Sequence, residues 1–106
     1  MTRALDLAMT GRKITAHEAL DWGIVNQVLP DADLIPAAQQ LAAELAAAPT
    51  KTLGYIKRAF DFASTSTLAE ALDNEADLQE IAGRTADHQE GIAAFLDKRP
   101  AQFKGE

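Results

Sequence analysis

The chain has 106 residues, 47% of them apolar and 25% charged, with a net charge of −6. A chain of this length is one domain or less, and folding buries roughly 60–70% of the surface its unfolded form exposes, so a core is possible with little margin. The acidity disfavours nonspecific nucleic-acid binding, and the lack of cysteine excludes a disulfide framework and thiolate metal sites. No apolar run approaches the ~20 residues of a membrane span. The segment from Met1 to Asp6 lacks the apolar centre of a signal peptide. The expectation is a soluble, cytoplasmic protein that binds neither nucleic acid nor membrane.

The pattern predicts a mostly α chain of five to six short helices with one short extended segment. The first helix covers about residues 2–9 and stops near Gly11. A second begins at Thr15-Ala16-His17-Glu18, a capping box in which the Thr15 hydroxyl accepts from the N3 amide and Glu18 reaches back. It ends at Gly23, a residue suited to the left-handed C′ position. Ile24 to Pro30 is β-branched and closed by proline, and reads as a short strand or extended linker.

The third helix is expected from an Asp33 N-cap to about Ala48, with Pro36 in its first turn. Ile35, Ala38, Leu41, Ala42 and Leu45 form its apolar stripe. A fourth runs from about Thr50 to Ala63, with Leu53, Ile56, Phe60 and Ala63 at i+3 and i+4 spacing. The fifth opens on a second capping box, Thr67-Leu68-Ala69-Glu70, and stops near Gly83. Glu75 interrupts its apolar stripe. A carboxylate there, if buried, must be paired, so a Lys, an Arg or a helix N-terminus is expected opposite it. The last helix is predicted with Asp87 as N-cap and Pro100 as its stop, and Ile92, Phe95, Leu96 and Arg99 on one side. The alanine-rich faces are strong helix formers that supply little core volume, so these helices look built to lean on a partner.

Local motifs carry little chemistry. His17 and His88 each stand alone in a first turn, without the i+4 companion a simple metal site needs, and read as exposed polar residues. No metal ligand set is assigned. Carboxylates such as Asp73 and Asp77 share a helix face, and read as a solvated surface. The six glycines are scattered at helix ends, and no phosphate-cradling loop or nucleophile elbow is present.

Two longer runs point further. Met9-Thr10-Gly11-Arg12-Lys13-Ile14-Thr15-Ala16-His17-Glu18-Ala19-Leu20, continuing through Trp22-Gly23-Ile24-Val25-Asn26-Gln27-Val28, resembles the crotonase-family pattern of T-G, a polar pair, I-x-A-x-E-A and G-[LI]-V-x-x-V. Asp87-His88-Gln89-Glu90-Gly91-Ile92-Ala93-Ala94-Phe95-Leu96-Asp97-Lys98-Arg99-Pro100 is similar to the family's C-terminal D-x-x-E-G-x-x-A-F-x-[ED]-K-R-x-P. Lys57 and Glu75 fall where the family often has lysine and glutamate. The run from Gly83 to Gly91 is similar to the ring-epoxide isomerases of phenylacetyl-CoA breakdown.

The resemblance implies the C-terminal helical region of an enoyl-CoA hydratase/isomerase (crotonase) subunit, a family of lyases and isomerases of fatty acid metabolism and phenylacetate degradation. Residues 1–30 would end the crotonase core, and residues 31–106 would form the helical oligomerisation region. The family's oxyanion hole and acid/base carboxylates have no counterpart here, so no catalytic residue is carried over. The chain shows no helix N-terminus after a Gly-rich loop where an enolate oxygen would be stabilised. Whether the chain is itself an enzyme is left open. No bound cofactor is implied; the coenzyme A thioester is substrate.

In the family the Phe and Lys of A-F-x-x-K reach the adenine and phosphate end of coenzyme A, which implies CoA-binding roles for Phe95 and Lys98. An aromatic face suits a purine and an ammonium suits a phosphate. At i,i+3 on one helix the two would share a face. The plain alternatives are core packing for Phe95 and a helix-end charge favoured by the macrodipole for Lys98. Arg99 and Lys104 are weaker candidates. The family assembles as trimers, commonly hexamers, so a homo-oligomer is implied. A rival reading is a free-standing helical protein-interaction module derived from the same family.

Overall fold

The structure is a computed structural model and describes residues 2–106. Six helices and no strand occur among the described residues: α1 (Thr2–Thr10), α2 (Ala16–Asp21), α3 (Asp31–Ala46), α4 (Thr50–Ala63), α5 (Leu68–Gly83) and α6 (Ala86–Asp97). The described residues divide into two compact units, the first ending at Ala37 and the second covering Ala38–Glu106, so the division falls inside α3.

In the first unit, local chemistry closes both short helices. Gly11 (φ +61°) ends α1 in the left-handed conformation, and its N–H donates to the Leu7 carbonyl at 2.9 Å. Gly23 (φ +72°) does the same for α2, where Ile24 N–H reaches Ala19 O and Gly23 N–H reaches Leu20 O, both at 2.9 Å. That pair of bonds is a Schellman motif. Thr15 caps α2 by accepting from Glu18 N–H at 3.1 Å. The Glu18 carboxylate does not reach back as a full capping box would. It binds the Arg12 guanidinium through both oxygens, at 2.8 and 3.3 Å. Arg12 also donates to Asp6 at 3.2 Å and lies 5.0 Å from the centre of the Trp22 ring, with Arg3 at 5.1 Å.

Residues 24–30 form no strand. A lone extended segment without a neighbouring strand has no ladder partner for its amides, so β-branched composition alone does not make one. The segment bends at residues 24–26 and has no regular structure over 27–30. Helix α3 starts two residues before the expected N-cap, so Pro36 lies inside it rather than in its first turn. The helix buries none of its residues.

The second unit is built on α4, α5 and α6. Helix α4 packs along α5, and α5 meets α6 at its end. Thr67 and Glu70 form the complete capping box at the start of α5. The Thr67 hydroxyl, at 2.7 Å, and then its N–H, at 2.8 Å, donate to the Glu70 carboxylate and hold that carboxyl below its ordinary value. The buried apolar residues of this unit are Leu78, Ala82 and Ala94. One leucine and two alanines are a thin core, and large side chains remain open: Phe60 is 76% exposed, Leu68 77% and Leu96 72%.

The N-cap of α6 differs from expectation. It is Thr85, not Asp87: the Thr85 hydroxyl accepts from His88 N–H at 3.1 Å and donates to the Ala82 carbonyl at 2.7 Å, tying α6 to the end of α5. Asp87 is thereby placed inside the first turn, buried, and free to serve another purpose.

Candidate functional site

The two expected CoA-binding residues lie at the end of α6, in different backbone states. Phe95 is helical and 82% exposed. Lys98 lies beyond the helix. Its φ of 52° and ψ of 40° put it in the left-handed region. Its N–H donates to Phe95 O at 3.3 Å, and Arg99 N–H donates to Ala94 O at 3.0 Å, which is again a Schellman closure. The expected i,i+3 shared helix face therefore does not exist, because the helix has ended at Asp97. For the same reason Arg99 leaves the expected row with Ile92 and Phe95.

Phe95 borders an open groove of about 420 Å³. Thr52 of α4, Ala82 of α5, Ile92 of α6 and Phe103 of the tail line it with Phe95. Lys98 is not among the lining residues.

The segment after α6 folds back along that helix. Glu90 receives the Arg99 guanidinium on both oxygens, at 2.6 and 2.9 Å, and also accepts Gln102 N–H at 2.8 Å. The Arg99 guanidinium first, and then the Gln102 amide, hold the Glu90 carboxyl down to about 2. Arg99 is committed further by Asp97, at 3.5 Å. Asp87 accepts Lys104 N–H at 2.7 Å on one oxygen and Gly105 N–H at 2.8 Å on the other, while its own N–H donates to Glu106 O at 3.1 Å. Between these anchors the Phe103 ring sits over Gly91, whose missing Cβ would be 3.7 Å from the ring. Gly105 adopts φ +77° against Thr50 at the start of α4.

The tail contacts were not anticipated from sequence, though a signal for them exists. Asp87, Glu90 and Gly91 are spaced i, i+3, i+4 and occupy one face of α6. Two carboxylates on one face suit a backbone segment whose amides need acceptors.

A second groove, of about 320 Å³, runs between α4 and α5 and is lined by Tyr55, Ile56, Phe60, Leu78 and Glu75. Glu75 is exposed there and makes no ion pair among the described residues. The expected partner is absent because the carboxylate is not buried. His17 and His88 are both exposed. No group of three or more His, Asp or Glu is placed to hold a metal among the described residues, and no helix is long and apolar enough to cross a membrane.

Among the described residues the regular structure is all helical, and several large apolar side chains stay uncovered. The enoyl-CoA hydratase/isomerase family model matches residues 1–106, and the chain belongs to that family. It is 50% identical over 103 residues to the 1,2-epoxyphenylacetyl-CoA isomerase of Escherichia coli K12, covering 97% of this chain and 39% of that protein. Its fold matches the crystal structure of an enoyl-CoA hydratase from Geobacillus kaustophilus HTA426 with a TM-score of 0.92 and 38% identity, over 99% of this chain and 40% of that one. An enoyl-CoA hydratase from Bacillus anthracis gives 0.92 at 33% identity, over 100% and 41%. The chain thus spans well under half the length of the relatives it matches.

Proposed function

We propose that this chain is the C-terminal helical part of an acyl-CoA enzyme, supplying subunit contacts and one edge of the coenzyme A pocket, and carrying no catalytic residue of its own. The observation behind this reading is the state of its surface. Phe95, Leu96, Phe60 and Leu68 all stand open, and covering a side chain of that size contributes about 1.5–3 kcal/mol. Helices that leave so much unburied are suited to further protein, from the rest of the subunit and from other copies in a trimer or hexamer. Phe95 offers a flat apolar face to the adenine and Lys98 an ammonium to the phosphate of coenzyme A, the substrate's carrier group; no bound cofactor is called for. The Escherichia coli relative favours an aryl-CoA substrate and phenylacetate degradation over a simple fatty acyl chain. A soluble, cytoplasmic setting suits such an enzyme.

The test is direct. Purified, the 106-residue chain should show no hydration or isomerisation of a short enoyl-CoA, and turnover would refute the reading. Added coenzyme A should shift the resonances of Phe95 and Lys98, and the Lys98→Ala variant should lose the phosphate-dependent part. In the centrifuge the chain should self-associate through its open faces; a well-behaved compact monomer counts against the assembly role.

A further inference from the structure

The segment from Arg99 to Glu106 has no regular secondary structure, yet α6 accounts for most of its polar contacts. Asp87 spends both carboxylate oxygens on the amides of Lys104 and Gly105, at 2.7 and 2.8 Å. Glu90 takes the Gln102 amide at 2.8 Å and the Arg99 guanidinium at 2.6 and 2.9 Å. The two anchors bracket Phe103, whose ring lies over Gly91 and closes one side of the groove that Phe95 borders. Asp87 is only 4% exposed, and a carboxylate that deep must be hydrogen-bonded to be tolerated. Its partners are backbone amides of the tail, so a tail that leaves would cost Asp87 both of those bonds.

We propose that Asp87 and Glu90 form a clasp that positions the tail, seating Phe103 as a wall of the groove beside Phe95 and thereby shaping the coenzyme A edge. Neither carboxylate touches ligand; both are positioning residues that act through the backbone of residues 102–105. The proposal rests on the coenzyme A reading above and adds to it a cause for the groove's shape. The clasp also fixes the segment that follows Lys98, whose left-handed backbone begins the reversal. Gly91 lies under the ring, where a Cβ would be in ordinary contact with it.

The experiment uses the 106-residue chain labelled for amide NMR, with coenzyme A as the probe. In the parent chain the Lys104 and Gly105 amides should resonate at low field and exchange slowly. In Asp87→Asn one acceptor becomes a donor facing an N–H. Protection of those two amides should fall roughly 10- to 150-fold, the factor set by bonds to a charged group, while α4 and α5 amides keep theirs. Glu90→Gln, which disturbs a more exposed site, serves as the second variant should Asp87→Asn fold poorly, with Gln102 as its reporter. Coenzyme A affinity should then fall by a like factor in the clasp variant and in Phe103→Ala. Unprotected Lys104 and Gly105 amides in the parent chain would overturn the clasp. A variant that frees the tail and keeps its coenzyme A affinity would overturn the positioning role and leave the coenzyme A reading standing. A parent chain with an intact clasp and no response to coenzyme A would overturn that reading, and the positioning role with it.

Discussion

Gly91 stands in the middle of α6, where glycine is about 0.5–1 kcal/mol worse than alanine because it loses more backbone freedom on folding. Space is the only local reason to keep it, and the space can be measured. A Cβ built on Gly91 would lie 3.7 Å from Phe103 Cε1 and 4.0 Å from Cζ, which is ordinary van der Waals contact. Gly91→Ala should therefore stabilise the chain by about 0.5–1 kcal/mol, a rise of about 2–8 °C in Tm for a domain of this size. Gly91→Leu goes the other way. Its branch would occupy the position of the Phe103 ring, and forcing the two together costs about 1–3 kcal/mol. Thermal unfolding followed by far-UV circular dichroism measures both. A Gly91→Ala variant that melts below the parent would refute the reasoning, because the glycine would then be required by something other than the ring above it.

Thr85→Ala removes the hydroxyl that caps α6 and ties it to Ala82; a loss of about 1–2 kcal/mol in the same melting experiment is expected. Glu90 titrates at about 2 in the folded chain instead of the ordinary 4.5. Its contribution to tail docking is therefore full above 4.5 and is lost as the pH falls toward 2. A carboxyl carbon titration of Glu90, read beside the Gln102 amide shift, checks this; a midpoint at 4.5 would mean the Arg99 pairing does not form. Lys98→Gly should stabilise α6 by about 1 kcal/mol, since glycine enters the left-handed C′ state freely, while lowering coenzyme A affinity. Denaturant unfolding and a coenzyme A titration on one sample separate the two effects.

Local rules were legible in this sequence because their causes are local. Thr15, Thr67 and Gly23 act through bonds to residues within four positions, and each does what its type and spacing predict. The helix termini are right to within a residue or two for α4 and α5. Errors arise where two residues compete for one task. Thr85 and Asp87 can both cap α6, and spacing alone does not reveal that Asp87 is taken by amides 17 and 18 positions away. Lys98 reads as helical because the period continues through it, although the chain reverses there. The tail was the least legible segment. Its shape depends on long-range acceptors, and a six-residue stretch without periodicity announces none. Glu75 shows the limit of stripe reasoning: its place in an apolar row suggested burial, but the row itself is left open.

Lys98 ends α6 with a left-handed backbone of the kind glycine usually supplies. Three glycines take positive φ in this chain, Gly11, Gly23 and Gly105, and two of them end helices as Lys98 does. Lys98 is the single non-glycine residue with positive φ among the described residues. An L-residue there costs about 1–2 kcal/mol that glycine would not. No packing offsets that cost, because Lys98 is exposed, and no ion pair does among the described residues, since the carboxylates nearest in sequence are engaged by Arg99. What holds Lys98 in that state is the Schellman closure, its own N–H on Phe95 O and the Arg99 N–H on Ala94 O.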